Sequence, residues 1–138
     1  MNKEIFKSDR YFQLHDYYIS HGQLLLRARA NQDHITNIDI IFFDTFYTQI
    51  ASNLKGVIIS VVENTDIVKY ETVKNYLSYR SSCLFELECQ NNKYYIAASF
   101  FTVYENTLGI NETSLGRIGP GREKVIARSR ENLASIER

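Results

Sequence analysis

Apolar and polar residues alternate along most of this chain, and the period is that of strands. From Gln23 onward, Leu24, Leu26, Ala28 and Ala30 fall on one side, and Gln23, Leu25, Arg27 and Arg29 on the other. A two-residue period of this kind marks a half-buried strand. Residues 11–20 before it are strand-like, and His21-Gly22 reads as a tight hairpin turn, since glycine accepts a positive φ at no steric cost. Residues 38–43 are apolar on both faces, the pattern of a central strand with cover on each side. Residues 45–50 extend that strand or begin the next, and 57–62 form another apolar strand.

Residues 84–104 are the most informative stretch. Phe85, Leu87 and Cys89 share one face, and Leu84, Glu86 and Glu88 the other. A polar turn at 90–93 leads into a long return strand, 94–104, apolar on both faces. Such a strand needs a partner layer on each side.

A helical period occurs twice. Ile67, Tyr70, Val73 and Leu77 recur at spacings of three and four behind Asn64-Thr65-Asp66, whose short polar side chains suit a helix start. This predicts a helix over 66–80, with a strand as the competing reading because Val, Tyr and Thr are common there. After Gly119-Pro120-Gly121, a boundary signal, Val125, Ile126, Leu133 and Ile136 make an intermittent stripe that predicts a C-terminal helix over 123–138.

The expected fold is α+β and mainly antiparallel: a strongly curved sheet or open barrel of about seven strands, one internal helix and a C-terminal helix. Residues 1–116 make one strand-rich domain, and 117–138 a helix or arm, docked or mobile. The expected core is Leu24, Leu26, Ile38, Ile40, Phe42, Ile58, Val61, Phe85, Leu87, Ile96, Phe100 and Val103.

Composition agrees with this pattern. The 138 residues suit one domain. Eight Phe and ten Tyr, with no Trp, favour pleated, half-buried surfaces. Formal net charge is zero, which argues against whole-surface attraction to nucleic acid or anionic membrane. Residues 117–138 carry six basic and three acidic side chains, so the tail is basic and the rest acidic, and the density of charge is too low for a phosphate-tracking arm. Cys83 and Cys89 lie on one predicted strand, roughly 20 Å apart, too far for a disulfide. Two unpaired thiols fit a reducing compartment. With no signal-peptide pattern and no stretch of membrane-spanning length, the expectation is a soluble, cytoplasmic protein.

The candidate chemistry is sparse. His15, His21 and His34 occur early in the chain, each near polar neighbours, and with Asp44 they are candidates for a metal or acid–base site. Their spacing contains no close pair of ligand type, and no metal or cofactor is expected. Glu86 and Glu88 read as a solvated strand face. Cys89 reads as core packing, since a nucleophile needs a neighbouring base and a depressed pKa. Tyr17, Tyr18, Tyr94 and Tyr95 are candidates for an aromatic binding patch, because adjacent residues on a strand point to opposite faces. Arg27 and Arg29 are further binding candidates. No GxSxG, HExxH, CxxC, phosphate-loop or dinucleotide motif is present.

The function expected is therefore a small, non-enzymatic, bacterial-type interaction module, binding a protein partner or itself through an aromatic strand face or edge. One alternative is a barrel or cone that holds a small ligand. Another is a metal-dependent or hydrolytic enzyme built on His15, His21, His34 and Asp44.

Overall fold

The computed structural model describes residues 2–78 and 82–130. Nine strands among them form one antiparallel sheet: β1 (Lys3–Tyr18), β2 (Gln23–Ala28), β3 (Asn37–Phe43), β4 (Tyr47–Gln49), β5 (Asn53–Val61), β6 (Cys83–Cys89), β7 (Asn92–Ala98), β8 (Phe100–Asn106) and β9 (Val125–Arg128). The order across the sheet is β4-β7-β6-β5-β1-β2-β3-β8-β9. One short helix, α1 (Glu71–Leu77), is the one α-helix whose full length lies among the described residues. No helix there is long and apolar enough to cross a membrane.

β7 and β8 lie near opposite ends of that order, yet only Ser99 separates them in the chain. The sheet must therefore curl until its two flanks meet. They meet through backbone hydrogen bonds: Ser99 N–H donates to the Phe43 carbonyl at 2.9 Å, and Phe46 N–H to the Ala97 carbonyl at 2.8 Å. The sheet curls without closing into a complete ladder. Phe42 of β3 lies 5.7 Å from Phe85 of β6 and 5.3 Å from Phe101 of β8, and Phe85 lies 5.2 Å from Phe101. These rings, with Phe12, Leu24, Leu26, Ile40, Ile59 and Ile96, fill the inner face. Each large apolar side chain buried this way contributes on the order of 1.5–3 kcal/mol.

The outer face is covered in two places. Residues 107–124 cross β2, β3 and β8 as an irregular strap, and Leu115 packs on Leu25, Ile41 and Tyr104. Over β6 and β7, Val62, Val68 and Val73 pack on Leu84 and Ala97.

Several expectations change. Among the described residues the strands number nine rather than about seven. β1 begins at Lys3, well before residue 11, and a 3₁₀ turn over Ile19–His21 replaces the two-residue hairpin at His21-Gly22. Of the helix expected over 66–80, the described residues form α-helix only over Glu71–Leu77, and residues 79–80 lie outside the described residues. Asn64 does act as a cap, accepting the Asp66 N–H at 3.1 Å, but it caps a three-residue 3₁₀ turn. Val68 and Tyr70 are extended and postpone the α-helix.

The helix expected over 123–138 is not shown: among the described residues of that span only Ser129 and Arg130 are helical. Val125–Arg128 is β9, paired with β8. Its β-branched Val125 and Ile126 suit a pleated ladder, and the free edge of β8 supplies the partner. The remainder of the expected helix, 131–138, lies outside the described residues. Glu86, expected on a wet face, is buried; it accepts hydrogen bonds from Tyr95 Oη at 3.3 Å and Asn2 Nδ2 at 3.2 Å.

Most of the expected core is buried. Ile58, Val61 and Phe100 are the exceptions, being only partly covered. Ile59 and Phe101 take the fully buried places beside two of them. The reason at β8 is a change of parity. Tyr94, Ile96 and Ala98 face the inner core before Ser99; Phe101 and Val103 face it afterwards. Ser99 inserts one residue into the alternation, so Phe100 turns outward and stacks on Phe43 at 4.6 Å.

Candidate functional site

Arg27 is one of the binding candidates, and it is sealed from water. It lies on the outer face of β2 beneath the strap, 1% exposed, beside a fully buried Asp39 on β3. The guanidinium meets the carboxylate through two contacts, Nε to Oδ1 at 2.7 Å and Nη2 to Oδ2 at 2.8 Å. Its Nη1 donates to the Glu112 carbonyl at 2.7 Å. Asp39 Oδ2 also accepts from Asn106 Nδ2 at 2.9 Å and from Ser114 Oγ at 2.7 Å. Arg122 extends the network, donating to Gln23 Oε1 and to the Ser114 carbonyl, each at 2.7 Å. No buried side-chain polar atom among the described residues lacks a partner. A buried ion pair tolerates its lost hydration only when such hydrogen bonds surround it. This cluster fastens the strap to the sheet.

His15 touches the same cluster from the rim. Its Nε2 lies 3.1 Å from Arg27 Nη1 and 3.2 Å from the Glu112 carbonyl. His21 sits in the 3₁₀ turn, its ring 4.2 Å from that of Tyr18 and its Nδ1 3.1 Å from Ser20 Oγ. His34 is exposed in the β2–β3 loop. Asp44 stands where the two flanks of the sheet meet, with a φ of 53°. Its Oδ2 accepts from Ser99 Oγ at 3.2 Å, and its carbonyl accepts from Tyr76 Oη at 2.5 Å. These four residues occupy separate elements with separate partners. Among the described residues, no three or more of His, Cys, Asp and Glu are grouped to hold a metal ion.

The tyrosine pairs divide between the faces as alternation requires. Tyr17 and Tyr94 pack against the inner core, and Tyr95 lies on the outer face beneath α1. Burial and the neighbouring Glu86 push the Tyr95 phenol above its ordinary pKa, so it stays a donor to that carboxylate.

Two of the open surfaces bear on binding. The first is an edge. β4 ends the sheet, paired only with β7. Beside it Phe46 stacks on Tyr76 at 4.7 Å, and Tyr47 tilts against Tyr70 at 5.8 Å. Phe46 is 52% exposed, Tyr70 62% and Ile67 48%. No charged residue occurs from Thr45 to Leu54. The opposite edge, β9, is flanked by Lys124 and Arg130 and ends in Arg128.

The second is a cleft of about 420 Å³ between β1, the β2–β3 loop and the start of the strap, bordered by Arg10, Tyr11, Gln13, Arg29, Asn31 and Ile110. A bulge in β1 shapes it. Asp9 and Arg10 together oppose the single residue Gly56, between the pairs Ser8–Val57 and Tyr11–Lys55. Gly56 has a φ of 78°, which a side chain would strain. An extra residue of this kind re-aims the side chains of a strand. Arg10 Nη2 reaches the Thr36 carbonyl at 2.9 Å and the Arg29 carbonyl at 3.3 Å, so it braces the loop that forms the far wall. Burial holds the Arg10 guanidinium somewhat below its ordinary pKa, against the pull of Asp9 and Glu105.

Of the residues singled out by sequence, Arg29 alone borders the cleft. Arg10 and Tyr11 were missed because the bulge that turns them there interrupts the alternation without leaving a mark in it. The edge aromatics Phe46 and Tyr70 had a signal that went unread, an uncharged run beside aromatic rings. No protein-family model, no curated protein and no solved structure matches this chain.

Proposed function

We propose that this protein is a non-enzymatic interaction module that pairs with a second copy of itself through the β4 edge. The observation that carries this reading is the contrast between the two ends of the sheet. Natural sheets protect an exposed edge with charge, above all lysine. β9 has that protection, whereas β4 sits in an uncharged run beside exposed aromatic rings. Two β4 strands related by a two-fold axis would meet antiparallel, with no like charges opposed. Three residues make a short ladder, so Phe46, Ile67 and Tyr70 supply most of the apolar contact that a stable interface needs.

Light scattering tests the reading. The wild-type chain is expected at twice its 16.1 kDa mass at high micromolar concentration. Thr48→Lys, which places a charge in the open edge, is expected to run as a monomer, with the urea midpoint of the wild type measured dilute enough to dissociate. A monomeric wild type overturns the reading, and a dimer unaffected by Thr48→Lys moves the interface elsewhere.

A further inference from the structure

We propose that the cleft beside the β1 bulge binds a small organic oxyanion, a carboxylate or phosphate carried on an apolar body. The argument rests on which polar groups there are already engaged. Arg29 is exposed, and among the described residues its guanidinium makes no ion pair or hydrogen bond. Arg10 uses Nη2 on backbone carbonyls and keeps Nε and Nη1 uncommitted. Asn31 Oδ1 is occupied by the N–H groups of Asp33 and His34, at 2.9 Å each, so its amide nitrogen is left to donate.

The cleft thus offers an excess of donors, two of them guanidinium forks, and no carboxylate borders it. Two carboxylates act on Arg10 from outside the lining, Asp9 first and Glu105 after it; Glu105 is already held by Lys124 at 2.6 Å and Thr36 Oγ1 at 2.7 Å. Planar guanidinium groups recognise carboxylate and phosphate through paired hydrogen bonds. Gln13 and Asn37 also border it, their amide nitrogens donating to Asn53 Oδ1 and to Asn106 Oδ1 and the Leu108 carbonyl, and the apolar part of the wall includes the Tyr11 ring, 52% exposed, and Ile110, 60% exposed. A volume of about 420 Å³ falls within the range of small-molecule sites, ~300–1,000 Å³. A bare ion would leave that apolar wall wet, so the ligand carries an apolar portion.

The test is a titration followed by backbone-amide NMR at low salt, with phenyl phosphate, benzoate, inorganic phosphate and neutral benzyl alcohol as probes. It is run in the Thr48→Lys background, so that failure of self-association and failure of the cleft are read separately. Saturable shifts are expected around residues 10–13, 29–31 and 108–110 with the aromatic anions, and none with benzyl alcohol. Saturation by phenyl phosphate alone assigns the ligand to phosphate esters, and by benzoate alone to carboxylic acids.

Arg29→Ala, a solvent-exposed change, is expected to weaken binding about tenfold, the scale of one charge-assisted hydrogen bond, without moving the urea midpoint. Tyr11→Ala is expected to weaken phenyl phosphate more than inorganic phosphate. Absence of saturable shifts with both aromatic anions, or an affinity indifferent to Arg29→Ala, overturns the proposal.

Discussion

Arg27 and Asp39 each lose nearly all contact with water, so neither tolerates the loss of the other. Arg27→Leu leaves a carboxylate buried without its counter-charge and is expected to cost about 3–5 kcal/mol in urea unfolding. Adding Asp39→Leu to it is expected to cost less than the two single changes together, since the pair is one interaction. Cys83 gives a second residue-scale expectation. Burial pushes its thiol above the ordinary range, only partly offset by Arg130. The thiolate is the reactive form, so iodoacetamide should label Cys83 more slowly than free cysteine near pH 8, with the rate rising at higher pH. Cys89, buried with its Sγ 3.5 Å from the Lys55 carbonyl, should label only on unfolding.

Among the elements, the strap is the most sensitive to sequence. A Cβ added at Gly119 would lie 1.9 Å from the Ser114 carbonyl oxygen, a contact with backbone that no side-chain rotation relieves. Gly119→Ala should therefore lift the strap and expose Leu25 and Ile41, seen as faster amide exchange over β2 and β3. The Glu105–Lys124 pair ties the end of the strap to β8. Lys124 first, and Thr36 after it, hold the Glu105 carboxyl below the ordinary range. Its contribution is thus present above the unfolded carboxylate pKa, about 4, and lost as pH falls through the lower folded value. Lys124→Met should reduce the loss of stability on acidification below that point, by a small amount because the pair is largely wet.

The same elements show what local pattern can carry. The inner residues of β2, β3 and β6 were legible because a two-residue period survives unbroken along each. Glu86 reads as wet, and Arg27 as a binding residue, because alternation reports which face a residue is on, and their cover comes from residues distant in the chain. The C-terminal stripe misled because Val125 and Ile126 fit helix or strand, and only the free edge of β8 decides. Arg29 was legible as a cation, but its neighbours in the cleft were not, because a bulge sets them.

The whole molecule combines neutral net charge with two unlike edges and one basic cleft. Association through β4 should weaken little with added salt, whereas anion binding at Arg29 should weaken as ionic strength rises. Measuring both salt profiles separates the two proposed activities.

The strand that turns at Ser99 also sets an order of events during synthesis. β3 has only β2 beside it until residues 100–106 have left the ribosome, because β8 is its other partner. Until then Ile40 and Phe42 lack Phe101 and Val103, and the strap that seals Arg27 and Asp39 does not yet exist. A chain halted after Ala98 would keep β1, β2, β5, β6 and β7 but present an open, apolar β3 edge, a template for pairing between chains. Such arrested chains are expected to be protease-sensitive and prone to aggregate. Protection should arise late, only after the segment that ends in β9 has emerged.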